Sequence, residues 1–181
     1  MSARTLIPGG IVALTCFLAA AAQAADAPAV AEIYRITKDG RGAAVGEIAF
    51  ANSEHGLLAT PDLRDMRPAG PHALHLHEKA SCAPGQQDGG TVAGASAGGH
   101  YDPEETVRHE GPYGDGHLGD LPNLVVERNG DVTIPVLAPR PSLADVRGRA
   151  VMIHAKPDRY GGHASHRHGK GGTRMYCGVI E

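Results

Sequence analysis

This sequence predicts an all-β domain of about eight strands, on three observations. Short segments with alternating or β-branched patterning recur between residues 31 and 180, each bounded by turn residues. No window holds a convincing 3.6-residue apolar period, which argues against long amphipathic helices. Gly (25) and Pro (13) together make about a fifth of the 181 residues, a composition that suits loops rather than a helical bundle or coiled coil.

The first strand, Ala31–Thr37, alternates, with Ile33 on one face and Tyr34 and Ile36 toward the other. The turn Lys38-Asp39-Gly40 and the segment Ala43–Ala51, carrying Val45, Ile48 and Phe50, complete a hairpin. Gly56–Leu63 is a third strand. His72–His77 is a fourth; because side chains alternate along a strand, Leu74 and Leu76 share one face and His75 and His77 the other. Leu124–Arg128, the turn Asn129-Gly130 and Val132–Leu137 read as a further hairpin, and Val151–His154 and Met175–Ile180 supply the last strands. Two polar stretches refuse strand patterning, Glu78–Leu121 and Pro157–Thr173. Loops that long are uncommon in compact domains and are usually functional. They need something to order them, and a metal or a disulfide would serve.

Composition narrows the function. With no Trp, 2 Phe and 5 Tyr, there is no aromatic platform for stacking bases, and a formal net charge of −3 gives no basic footprint for nucleic acid. The outlier is His, at 11 residues, and imidazole is the commonest metal ligand.

Residues 1–24 read as a secretory signal. Arg4 is the single charge before Asp26, an apolar run spans Ile11–Leu18 and continues in alanines, and Ala22-Gln23-Ala24 has the small-x-small form of a cleavage site. The alternatives are a membrane anchor, against which Pro8-Gly9-Gly10 breaks a short run, and a lipoprotein attached at Cys16, against which Thr15 is a poor preceding residue. Cleavage after Ala24 leaves one domain, residues 25–181, in which no segment is long enough to span a bilayer. It also removes Cys16. The remaining pair, Cys82 and Cys177, is most simply one disulfide in an exported protein; two cysteine metal ligands remain the alternative.

The histidines fall into groups. His75 and His77 share a strand face. His100, His109, His117 and Asp120 lie within 21 residues of a loop with little apolar content. Three nitrogens and one oxygen make a complete tetrahedral set for Zn²⁺, which with no open position would be structural. A solvated polar loop is the plainer alternative. His154 closes the apolar run Val151-Met152-Ile153, and with His75 and His77 it makes a three-imidazole group of the kind that suits copper, zinc or iron.

Five motifs then carry a resemblance: His75-Leu76-His77-Glu78, Gly98-Gly99-His100-Tyr101-Asp102-Pro103, Gly116-His117-Leu118-Gly119-Asp120-Leu121-Pro122, Ile153-His154-Ala155-Lys156-Pro157-Asp158, and Gly172-Thr173-Arg174-Met175-Tyr176-Cys177-Gly178-Val179-Ile180. In this order, from about Ala31 to Glu181, the chain resembles the copper,zinc superoxide dismutase family, and the Gly-Pro-Tyr and Leu-Gly-Asp-Leu-Pro strings resemble its bacterial, exported branch. The resemblance implies an eight-stranded Greek-key β-barrel or sandwich with two long functional loops. It implies one Cu ion and one Zn ion per subunit, and superoxide as substrate, converted to O₂ and hydrogen peroxide by a redox-cycling copper beside a structural zinc. Copper would be held by His75, His77, His100 and His154, and zinc by His100, His109, His117 and Asp120, with His100 bridging. Asp158 would link His75 and His109 from behind, Arg174 would dock the anion, and Cys82–Cys177 would be the family disulfide. A periplasmic location follows from the branch. Monomer and homodimer both stay open.

Lys79, Lys156, Arg167 and Lys170 are candidates for a positive funnel, or else ordinary surface charge. His163, His166 and His168 lie in a stretch with no shared ligands, either a hydrophilic loop tip or an auxiliary metal-capturing tract. His55 and His72 read as ordinary polar residues. Two other classes compete with the enzyme. A periplasmic copper- and zinc-binding or delivery protein would need the histidines but not Arg174 or Asp158, and a structural β-sandwich would need none of them.

Overall fold

The structure, a computed structural model, describes residues 27–160 and 171–181. The proposed signal, Cys16, the His163/His166/His168 stretch, Arg167 and Lys170 lie outside the described residues. Among the described residues there are ten strands: β1 (Ala29–Thr37), β2 (Gly40–Ser53), β3 (Gly56–Leu63), β4 (Gly70–His77), β5 (Gly85–Gln87), β6 (Gly90–Val92), β7 (Asp120–Val126), β8 (Val136–Ala138), β9 (Ala150–His154) and β10 (Arg174–Val179). Eight form one antiparallel sheet in the order β7-β4-β9-β10-β1-β2-β3-β8, whose end strands β7 and β8 also touch, so the sheet nearly closes into a barrel. The longest helical element among the described residues is one turn, Leu143–Val146, capped reciprocally by Ser142 and Asp145. Among the described residues no helix is long and apolar enough to cross a membrane.

Alternation decides what each strand buries. Leu74 and Leu76 of β4, Val151 and Ile153 of β9, and Ile33, Ile48 and Phe50 of β1 and β2 point inward and form the main core. Each such side chain stabilises the fold by about 1.5–3 kcal/mol relative to exposure. Alternation from Ile33 puts Ile36 on the outer face, beside register shifts in the β1–β2 pairing around Tyr34. There it joins Ala97, Ala150, Met152 and Cys177 in a second, smaller apolar cluster under the long loop.

Two expectations differ from what is seen. The predicted hairpin about Asn129-Gly130 keeps its turn, with Gly130 N–H donating to Glu127 O at 2.9 Å. Its arms separate: β7 pairs with β4, and the following chain crosses to β3 through Val132 and Leu63 before β8. The turn therefore carries the chain between the two edges of the sheet. The Glu78–Leu121 stretch, expected to lack strands, contains the two-stranded ribbon β5–β6. Its signal was the Asp88-Gly89 pair, both residues at positive φ (51° and 81°) as a tight two-residue hairpin turn requires.

Candidate metal centre

The outer face of β4 and β9 carries the site. His75 pairs across the sheet with Met152 and with Asp120, His77 with Ala150, and Arg174 with His154. Register alone thus brings ligand-type residues from β4, β7 and β9, and Arg174 of β10, to one patch. The long loop folds over it. His100 forms an isolated bridge to His77, Tyr101 and Gly119 backbones pair with Leu76, and the loop is tied to β10 by the Cys82–Cys177 disulfide, with Cα atoms 5.7 Å apart. Gly119 allows that closeness, since a Cβ there would lie 2.5 Å from Leu76 O.

All six histidines predicted for the site meet here. The His75 ring lies 4.0 Å from His100 and 4.8 Å from His154, and His77 lies 5.2 Å from His100. His100, His109 and His117 pack at 5.3–5.9 Å from one another. One donor atom each from His77, His100 and His154 lies within 4.8 Å of the others, and the same holds for His75, His100, His109 and Asp120. By nearness alone, then, His75 groups with the acidic cluster and His117 falls outside it. The direction of the lone pairs discriminates better. His75 commits Nε2 to Asp158 at 2.9 Å, His77 commits Nδ1 to Gly98 O at 3.0 Å, and His154 commits Nδ1 to Gly172 O at 2.9 Å. What remains is a set of buried ring nitrogens without a hydrogen-bond partner, His75 Nδ1, His77 Nε2 and His154 Nε2, while His109 Nδ1 and His117 Nδ1 turn toward Asp120 at 2.9 and 3.5 Å. Leaving such atoms unpaired costs about 1–3 kcal/mol each. Their convergence fits metal ions of the imidazole- and carboxylate-binding class.

Electrostatics prepare these groups. Burial, aided by the neighbouring His75, pushes His100 down to about 3 against the pull of Asp120. Burial and the nearby rings and Arg174 likewise hold His77 and His154 well below the usual range, so both stay neutral with lone pairs free. Burial opposes the charge on Asp120 and Asp158, but hydrogen bonds from His100, His109 and His117 to the first, and from His109 and His75 to the second, outweigh it and hold both carboxyls well below the carboxylate range. Burial likewise opposes a cation at His109, yet the same two carboxylates raise it to about 9.

Arg174 lines a cleft of about 820 Å³ with His100, His154 and Lys156. Its guanidinium donates to Gly94 O at 2.5 Å and Gly98 O at 2.7 Å. Lys79 is exposed and is not among the residues lining this cleft.

Sequence reasoning missed the supports. His72 is buried rather than an ordinary polar residue, with ring nitrogens 2.6 Å from His154 O and 2.9 Å from Pro68 O. Its place beside Pro71 near the start of β4 hid this. Arg140 donates to the carbonyls of Gly116 and His117 at 2.7 and 3.1 Å, a contact between segments far apart in sequence with no local signal. His55 is exposed beside Glu54, as read.

A family model for copper/zinc superoxide dismutase matches residues 44–180. The chain is 48% identical over 138 residues to the Cu-Zn superoxide dismutase of Legionella pneumophila, covering 76% of this chain and 78% of that one. It is 42% identical over 169 residues to that of Escherichia coli K12, covering 93% and 95%. The Cu/Zn superoxide dismutase structure from Brucella abortus superposes with a TM-score of 0.80 at 39% identity, covering 86% of this chain and all of that one. With these likenesses spanning every element of the barrel and both histidine groups, the chain belongs to the copper/zinc superoxide dismutase family.

Proposed function

We propose that the chain disproportionates superoxide with copper held by His75, His77, His100 and His154 and zinc by His100, His109, His117 and Asp120. The observation that carries this reading is the convergence of buried ring nitrogens: His75 Nδ1, His77 Nε2 and His154 Nε2 lack partners on rings whose other nitrogen is already bonded, and His109 Nδ1 and His117 Nδ1 turn toward Asp120. Bound copper supplies the one-electron chemistry that converts superoxide to O₂ and hydrogen peroxide, and zinc, which has no redox step, fixes ligand geometry and charge.

The chain's own residues do the rest. Asp120 sits 2.7 Å from His100 Nδ1, which leaves Nε2 as the atom facing the His77–His154 group and as the place where a proton is taken up and passed to the departing product. Asp158 fixes the tautomers of His75 and His109 from behind, as outer acceptors do. Arg174, fixed by two carbonyls at the cleft, supplies a permanent cation with donors for a small anion. That residue favours the enzyme over a copper- and zinc-delivery protein, which needs the ligands but not an anion dock.

Residues 1–24 act as a cleaved signal and the mature chain, residues 25–181, works in the periplasm; the disulfide supports an oxidising compartment. The assay is metal analysis of the purified mature protein with a superoxide-disproportionation measurement. One copper and one zinc per chain with cyanide-sensitive activity is the expected result. Activity without copper would overturn the reading, and an N-terminus other than Ala25 by mass spectrometry would overturn the cleavage site.

A further inference from the structure

Asp158 bonds rings from both ligand groups, so what holds Asp158 matters to both. Its main chain is gripped by Asn123 of β7: Asp158 N–H donates to Asn123 Oδ1 at 2.8 Å, and Asn123 Nδ2 donates to Asp158 O at 3.0 Å. Tyr160 closes the circuit. Its amide donates to Asp158 Oδ1 at 3.1 Å, in the two-residue return of an Asx turn, and its hydroxyl oxygen accepts the Asn123 main-chain N–H at 2.5 Å. Tyr160 takes a left-handed φ of 49°, uncommon for an aromatic residue. That backbone turn is therefore held by its surroundings. The ring also rests on the loop that carries His109: a Cβ at Gly111 would fall 2.8 Å from Tyr160 Cβ, and Tyr113 meets the ring edge-on at 6.4 Å.

We propose that Tyr160 is a positioning residue for Asp158: through its hydroxyl, its amide and Asn123 it fixes the carboxylate that orients His75 and His109, and so governs how firmly the zinc-side ligands retain their ion. This rests on the metal assignment above. A purely packing role for Tyr160 would need its ring but not its hydroxyl, and the hydroxyl is the group that reaches β7, three residues beyond Asp120.

Tyr160→Phe keeps the ring and removes the oxygen. In the disulfide-bonded holoprotein, zinc transfer to a chromophoric chelator is expected to quicken roughly tenfold, the low end of what loss of an outer partner costs. In the Asp158→Asn background the same substitution should add nothing, because its route is gone. In the metal-free protein, nitrogen-15 NMR should show the Nε2–H signals of His75 and His109 exchanging faster with solvent, while core amides such as Ile48 are unmoved. Parent-like zinc release and ring exchange in Tyr160→Phe would overturn the proposal, as would a full additive effect beside Asp158→Asn. If the parent itself retains no zinc, the metal assignment fails instead, and the ring N–H signals of the metal-free protein still decide the positioning role.

Discussion

The two faces of β4 and β9 are made by alternate residues of the same strands, yet they are held together by different physics. Inward, Leu74, Leu76, Val151 and Ile153 meet other apolar side chains, and the hydrophobic effect needs no partner beyond close packing. Outward, His75, His77 and His154 are just as buried but leave lone pairs without partners. The inner face is complete without a ligand, whereas the outer face is complete only once something binds it. Stability and function are thereby separated across the thickness of a single sheet.

The strongest break in that comparison comes from the outer face. His77→Ala or His154→Ala is expected to reduce superoxide disproportionation to background while thermal unfolding of the disulfide-bonded protein stays cooperative, because neither ring belongs to the apolar core. Retained activity in a copper-reconstituted variant would place copper elsewhere. His109→Ala or Asp120→Ala should remove zinc and loosen the loop while copper still binds; equal zinc-dependent stabilisation of variant and parent in melting experiments would refute this.

Next in size is the tether between the faces. Cys82–Cys177 spans 95 residues and joins the loop to β10, and a loop of that length is worth about 4–5 kcal/mol in the chain-entropy model. Reduction should lower the denaturation midpoint more than any surface substitution. Leu76→Ala tests the inner face, with an expected loss of about 2–5 kcal/mol from the lost methyl groups and the cavity left behind. Activity per folded, metal-loaded molecule should fall far less than in His77→Ala.

Legibility in the sequence follows the same division. The inner face was read from period-two alternation, and that signal also placed His75 and His77 together on the opposite side. Gly56–Leu63 matched its strand at both ends for the same reason: its pattern is local. That the histidines gather at one place was legible because histidine at such density in a polar loop has few other uses; their division into copper and zinc ligands is what the family motifs imply. What failed was whatever depends on distant partners. The Asn129-Gly130 turn is a real local signal, but which strands its arms join is decided by the closing of the sheet. His72, Asn123, Arg140 and Tyr160 look like ordinary polar residues, and their roles arise from contacts with main-chain groups 4 to 82 residues away.

The smallest expected effect is the most discriminating, because it separates an enzyme from a metal store. Arg174 stands opposite His154 in the sheet register and lines the cleft with His100. It has no lone pair to give a metal. Two of its donors are spent on Gly94 and Gly98 carbonyls, which fix the guanidinium without neutralising its charge. The Gly98 carbonyl also accepts from His77, so the cation and the proposed copper ligand share one anchor. Arg174→Ile should leave copper and zinc content unchanged and lower the second-order rate with superoxide by about tenfold, equivalent to about 1.4 kcal/mol. Arg174→Lys should lose less, keeping the charge but not the fork. The formal net charge of −3 opposes an anionic substrate, so attraction must be local, and the parent rate should fall as salt screens it. Stopped-flow or pulse-radiolysis rates across ionic strength measure both effects. An Arg174→Ile protein as fast as the parent at low salt would remove the anion dock and leave the outer face as a metal store.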